Sequence, residues 1–175
     1  MTTAVTDSYF TTVEDANAIL AKRLGTAAWT AATSATKIAA LQQATSVIDA
    51  LDYDGVTQSE AQERQFPRKY LVDRTEHSPW LINLVLDIYG YWQESTDVPA
   101  KVYLACALEA LAIIEYYSSG ATVNEQELIA KGVTDFTLGK LSMSFKKTSA
   151  TAYGFKSEEA YRLLDAYIQN CYLIQ

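Results

Sequence analysis

The chain has 175 residues, a formal net charge of −7 and a pI of about 4.7. A length of that order gives one domain with its own core, burying roughly 70% of the unfolded surface. An acidic surface repels a phosphate backbone, which counts against a dedicated nucleic-acid binder but not against a protein past which DNA slides.

Residues 1–8 are small and polar and are expected to stay loose until a partner orders them. Thr11 with Glu14, or Thr12 with Asp15, has capping-box spacing, so a first helix is predicted to start there. Val13, Ala16, Leu20 and Leu24 form its stripe, and Gly25 is the predicted stop. A second helix is predicted over 34–52, with Ile38, Leu41, Thr45, Ile48 and Leu51 facing inward. Trp29, just ahead of it, should cover the junction of the two helices. Residues 55–65 read as a polar connecting loop. Phe66 precedes Pro67, which pushes it towards an extended conformation. Arg64 and Arg68 flank that aromatic. Nothing Gly-rich accompanies them to make a phosphate site, so they are expected to pair with acids on a neighbouring helix or across a subunit interface.

The run WLINLVLDIYGYW opens at Trp80 and is too short to span a membrane. Leu81, Leu84, Val85 and Ile88 suit a short helix ended by Gly90. Its Trp80, Tyr89, Tyr91 and Trp92 serve either the core or a subunit contact. The stretch 97–120 is the one the chain is organised around. Pro99 suits a first helical position, and Val102, Ala105, Cys106, Leu108, Leu111, Ala112 and Ile113 leave almost no polar face. Such a helix belongs inside a bundle. Glu109, flanked by Leu108, Ala110 and Leu111, must snorkel outward or find a donor; a satisfied structural carboxylate is the expectation. Cys106 and Cys171 are read as reduced, buried thiols, too few for a disulfide framework.

A short helix is predicted over 124–131, capped by Asn124 and closed by Gly132. Next comes a hairpin over 133–147 turning at Gly139 and Lys140. One register pairs Leu138 with Leu141, Phe136 with Met143 and Thr134 with Phe145, with Thr137, Ser142, Asp135 and Ser144 on the other face. A lone hairpin is marginal, so it must lie on helices or on another subunit. Residues 148–154 form a polar hinge. Ser157 then caps a last helix with Glu158 and Glu159 in its first turn. Its stripe of Tyr161, Leu164, Ile168 and Cys171 runs into the apolar end CYLIQ. That stripe either docks onto a partner through Tyr161, Leu164, Ile168, Tyr172, Leu173 and Ile174, or packs back on its own bundle. The predicted fold class is mainly α: a helical bundle around a central apolar helix, with one small β-hairpin and a C-terminal helix. Residues 1–154 form the helical unit, and 155–175 the closing helix and tail of the same domain.

Catalytic chemistry is sparse. The one histidine, His77, excludes a multi-histidine metal site, and a Ser-His-Asp relay would depend on it alone. There is no P-loop, GxGxxG, CxxC or HExxH. Neither catalytic residue, metal nor cofactor is expected. No basic-then-apolar leader opens the sequence, and Glu109 and Glu115 break the apolar run around Leu104, so neither secretion nor membrane spanning is expected. Lys140, Lys146 and Lys147, with Phe145 interleaved, form a basic patch that a single strand could use or that serves as a solvated edge.

The ordered set from Tyr9 and the capped helix through Trp29, KIAALQQATSVIDALDYDG, QFPR, VPAKVYLACALEAL, GVTDFTLGKLSMSF and LLDAYI resembles the head–tail connector (adaptor) proteins of long-tailed bacteriophages. Some of that family is catalogued as DnaT-like and single-stranded-DNA-binding. The resemblance covers about residues 9–170 and departs at 74–96, which is longer and more aromatic than the family's link. It implies a structural virion protein, not an enzyme, assembled at the virion neck from subunits made in the host cytoplasm. Those subunits would form a homo-oligomeric ring, typically a dodecamer, beneath the portal protein. The ring would extend the channel for genomic DNA and offer a platform to a stopper or tail-completion protein, with residues 155–175 reaching the portal. The rival readings are a single-stranded-DNA-binding replication protein and a small hydrolase using His77.

Overall fold

The computed structural model describes residues 3–69, 97–118, 135–138, 141–144 and 153–168. Over these the order is α1 (Val13–Leu20), α2 (Ala27–Ala31), α3 (Ser34–Asp49), β1 (Val56–Thr57), β2 (Arg68–Lys69), α4 (Ala100–Ser118), β3 (Asp135–Leu138), β4 (Leu141–Ser144) and α5 (Glu158–Asp165). The protein is mainly helical, as its periodicities predict. The central helix α4 starts directly after Pro99 and buries Val102, the run from Ala105 to Leu111, Ile113 and Ile114. A helix apolar on every side needs cover on every side. Here α3 and α5 make the largest contacts with it, and α2 and α1 add smaller ones.

Local caps set the helix starts. The Thr12 side chain accepts from the Asp15 N–H ahead of α1, Thr33 accepts from Thr36 ahead of α3, and Ser157 accepts from Ala160 ahead of α5. Each satisfies an N–H that the first turn would leave orphaned. Trp29 lies in α2, 3% exposed, and donates from Nε1 to Asn17 Oδ1 at 2.7 Å, so it ties α2 to α1. The first helix stops earlier than its stripe suggests. Leu24 is 99% exposed because the chain leaves α1 after Leu20, tightens through Lys22 and Arg23 onto Ile19 and Leu20, and turns at Gly25 with φ +79°.

The expected polar loop over 55–65 contains a strand. Val56 pairs with Lys69 and Thr57 with Arg68, antiparallel, around a cis Phe66–Pro67 peptide. The hairpin has the register read from the sequence: Asp135 opposite Ser144, Phe136 opposite Met143, Thr137 opposite Ser142, and Leu138 opposite Leu141.

The C-terminal helix corrects one expectation. Tyr161, Leu164 and Ile168 are buried in this chain's own core, 9%, 0% and 7% exposed, so they are not a free docking stripe. The amphipathic helix lays that face on α4, and the segment after it closes on the loop behind α3. The Asp54 N–H donates to the Tyr167 carbonyl at 2.9 Å, and Tyr53 and Ile168 form a β-bridge. Outside the described residues lie the segment 74–96 with His77, Trp80, Tyr89, Tyr91 and Trp92, the helix expected at 124–131, the Thr134–Phe145 pair, Lys140, Lys146, Lys147, most of the hinge, and the end with Cys171, Tyr172, Leu173 and Ile174.

Candidate functional site

Three constructions around α4 fix the surface on which any function acts. The first is a polar knot between the N-terminal segment, the end of α3 and the 52–69 loop. The Tyr9 hydroxyl donates to Asp49 Oδ1, and the Gln65 N–H reaches the same oxygen at 3.1 Å. Burial and the neighbouring Asp49 carboxylate raise the pKa of the Tyr9 phenol, and burial does the same for Tyr53, so both stay protonated donors. Phe66 sits at the centre, with ring centroids 4.7 Å from Tyr53, 6.1 Å from Tyr9 and 6.2 Å from Tyr167.

Arg68 closes this knot. It is 7% exposed and donates to the carbonyls of Tyr53, Asp54 and Gly55 at 3.1, 2.8 and 2.8 Å, and to Gln65. The sequence expectation of an acid partner is corrected here. A guanidinium with five donors in a planar fork suits converging carbonyls better than a lysine would, and this one is buried within its own chain. Burial also lowers its pKa. Arg64 is half-buried, 3.9 Å from Asp7 and over the Tyr9 ring, again within the chain.

The second construction answers the question Glu109 poses. Its side chain is 0% exposed. Oε1 accepts the Lys156 N–H at 2.8 Å and Oε2 the Ser157 N–H at 2.9 Å. A carboxylate on the central helix therefore holds the backbone donors of the cap residue Ser157 and of Lys156 before it, just ahead of α5, where the helix dipole favours negative charge. Burial raises its pKa, against these hydrogen bonds and Lys156. The expected satisfied structural carboxylate is what the fold contains. Cys106 is buried beside Thr45, and burial pushes its thiol up to about 12, well away from nucleophilic use.

The third is a groove of about 620 Å3 between α1 and the first turns of α4. Tyr9, Phe10, Ile19, Tyr103 and Leu104 give it apolar walls, with Phe10 and Tyr103 in ring contact at 5.4 Å. Asp15, Lys22 and Arg23 supply its charges, and Arg23 is held by Glu159 of α5 at 2.7 Å. The groove was not legible in the sequence. Phe10, Ile19, Tyr103 and Leu104 come from two elements far apart in the chain, and only the packing of α1 on α4 brings them together.

The described cations are mostly occupied. Besides Arg23, Arg64 and Arg68, Arg162 pairs with Glu158 at 2.7 Å, Lys156 lies 4.2 Å from the Tyr116 ring centroid, and Lys37 and Lys101 sit over Trp29 and Tyr167. Among the described residues no group of histidine, cysteine or acidic side chains could hold a metal ion, and no helix is long and apolar enough to cross a membrane.

Against known families, residues 2–173 match the model described as "Putative DnaT-like ssDNA binding protein". The chain belongs to this family. The match spans the helical core, the hairpin and the C-terminal helix together. No curated protein and no solved structure matches the chain.

Proposed function

We propose that this family member is a structural subunit of a phage head–tail connector, forming a ring beneath the portal that extends the DNA channel. The observation that carries the reading is the ordered run of elements resembling such connectors. Two physical features support it. The chain is acidic overall, and its described cations are drawn into ion pairs, carbonyl clusters and aromatic faces, leaving few to grip phosphates. A channel must let DNA slide, and a surface poor in open cations does not hold it.

The family description favours a second reading, binding of single-stranded DNA. On that reading Lys140, Lys146 and Lys147 supply the phosphate contacts, and exposed aromatics such as Tyr117 and Tyr153 supply stacking faces. One pair of measurements separates the two. The connector reading expects a multi-subunit mass for the purified protein, alone or with its portal, and binding to a short oligothymidylate no tighter than about micromolar at physiological salt. Nanomolar binding that is lost on changing the three lysines to glutamate, by a protein of monomeric mass, would establish the second reading instead.

A further inference from the structure

We infer that the groove between α1 and α4 receives the last turn of α4 from a second copy of this chain, with Tyr117 as the inserted side chain. The inference rests on the ring reading and specifies how one subunit grips the next. The helix α4 carries both halves of the contact. Its first turns supply Tyr103 and Leu104, which with Phe10 and Ile19 wall an apolar trough. Ile19, Tyr103 and Leu104 are only half-buried, so those walls face the open side. Its last turn presents Tyr117, 65% exposed. The Tyr116 ring meets Tyr117 edge-on at 5.1 Å and is itself covered by the Lys156 ammonium at 4.2 Å, which braces the exposed ring. A braced tyrosine has little freedom left to lose on docking, and tyrosine is among the side chains that anchor protein interfaces.

Charge runs the same way. In the groove Asp15 already accepts the Thr12 hydroxyl at 2.6 Å and Arg23 is held by Glu159 at 2.7 Å, so exposed Lys22 is the charge placed to meet an incoming group. The last turn of α4 is the negative end of its helix, contains no basic residue and has exposed Glu115 on its flank. These two surfaces cannot meet within one subunit, because Tyr103 and Tyr117 are fourteen residues apart on a single helix, about 21 Å along its axis. Leu24, 99% exposed, directly follows the rim residues Lys22 and Arg23. One contact at this rim therefore accounts for two of the four large apolar side chains exposed among the described residues, Leu24 and Tyr117. A contact between two different surfaces is head-to-tail, and it closes into a ring where the rotation between neighbours permits. A surface that pairs with itself would stop at a dimer.

The test uses two full-length variants and light scattering after size exclusion. Tyr117→Ala removes the anchor, and Ile19→Arg blocks the groove at a position from which a long side chain can still reach water. Each variant should melt cooperatively, and each should weaken self-association by about thirtyfold or more. Mixed at high concentration, they should form a heterodimer, because one retains the working groove and the other the working anchor. Either variant forming the wild-type assembly at wild-type concentrations overturns the inference, as does a mixture that stays monomeric. Should Ile19→Arg not melt cooperatively, cross-linking decides. Lys22→Cys on one chain and Ser118→Cys on another keep both wall and anchor and should form a mixed disulfide that neither forms with wild type; its absence overturns the inference. A wild type that is monomeric both alone and with the portal defeats the ring reading and this contact together. A wild-type ring left intact by both variants defeats this contact only. Loss of oligothymidylate binding in Tyr117→Ala with no change in mass would assign the exposed ring to a stacked base and likewise overturn the contact.

Discussion

Glu109 shows how one residue commits two distant parts of the chain to each other. Its acceptors meet backbone donors 47 and 48 positions later, at the point where α5 begins. The sequence could pose the problem of a carboxylate on an apolar helix, but local pattern could not supply the partner, because no periodicity reports a contact at that separation. Glu109→Ala should leave two part-buried N–H groups without acceptors and cost about 1–3 kcal/mol in equilibrium urea unfolding. Glu109→Gln retains one acceptor and should cost less. The pH dependence follows from the raised pKa. The native state holds the Glu109 proton above the unfolded value of 4.5, so it binds more protons than the unfolded state between that value and its own pKa. This group's contribution is therefore favourable at low pH and is lost as pH rises through the native pKa. The stability difference between wild type and Glu109→Gln should shift against wild type over that window, and a pH-independent difference would contradict the assignment.

At the scale of elements, legibility followed the range of the forces involved. The caps at Thr12 and Ser157 and the hairpin register could be read directly, since each depends on residues within a few positions of one another. The end of α1 could not. The stripe continues to Leu24, but a stripe position matters only if something packs there, and the turn at Gly25 carries the chain away. The stripe of α5 was visible as a stripe, yet an amphipathic face does not name what covers it; here it is α4. The 52–69 loop was legible as a connector but not as an ordered one, because its order depends on Arg68 gathering three carbonyls that are unremarkable in sequence. Arg68→Ala should therefore cost about 3 kcal/mol or more, since the carbonyls it now satisfies would lose their donors. Arg68→Lys should recover only part of this, as one ammonium cannot span the fork. Hydrogen exchange should localise the loss to 52–69 and the Tyr53–Ile168 bridge. Uniform loss across α3 and α4 would mean that the loop is not a separate unit.

For the whole molecule, the burial of α5 makes the first part of the segment 155–175 a component of the fold itself. Tyr161, Leu164, Tyr167 and Ile168 lie in the same core as α4, and each large apolar side chain contributes about 1.5–3 kcal/mol when buried. Their sum is of the order of the whole stability of an ordinary domain, about 5–15 kcal/mol. Deleting 154–175 should therefore abolish the cooperative thermal transition, and the Glu109 carboxylate would be left buried without its donors. Deleting only 170–175 keeps the Tyr53–Ile168 bridge and the Asp54–Tyr167 hydrogen bond. That shorter truncation should melt within a few degrees of the full chain, since a 1 kcal/mol change moves a domain of this size by about 2–4 °C. On the connector reading it should also fail to join the portal, because Tyr172, Leu173 and Ile174 are the rest of the docking set read from the sequence. Measuring both truncations together makes the outcome decisive. A short truncation that melts normally and still attaches places the portal contact elsewhere on the molecule. A long truncation that melts cooperatively would mean that the burial of α5 contributes little, and the account of the core given for Glu109 would fall with it.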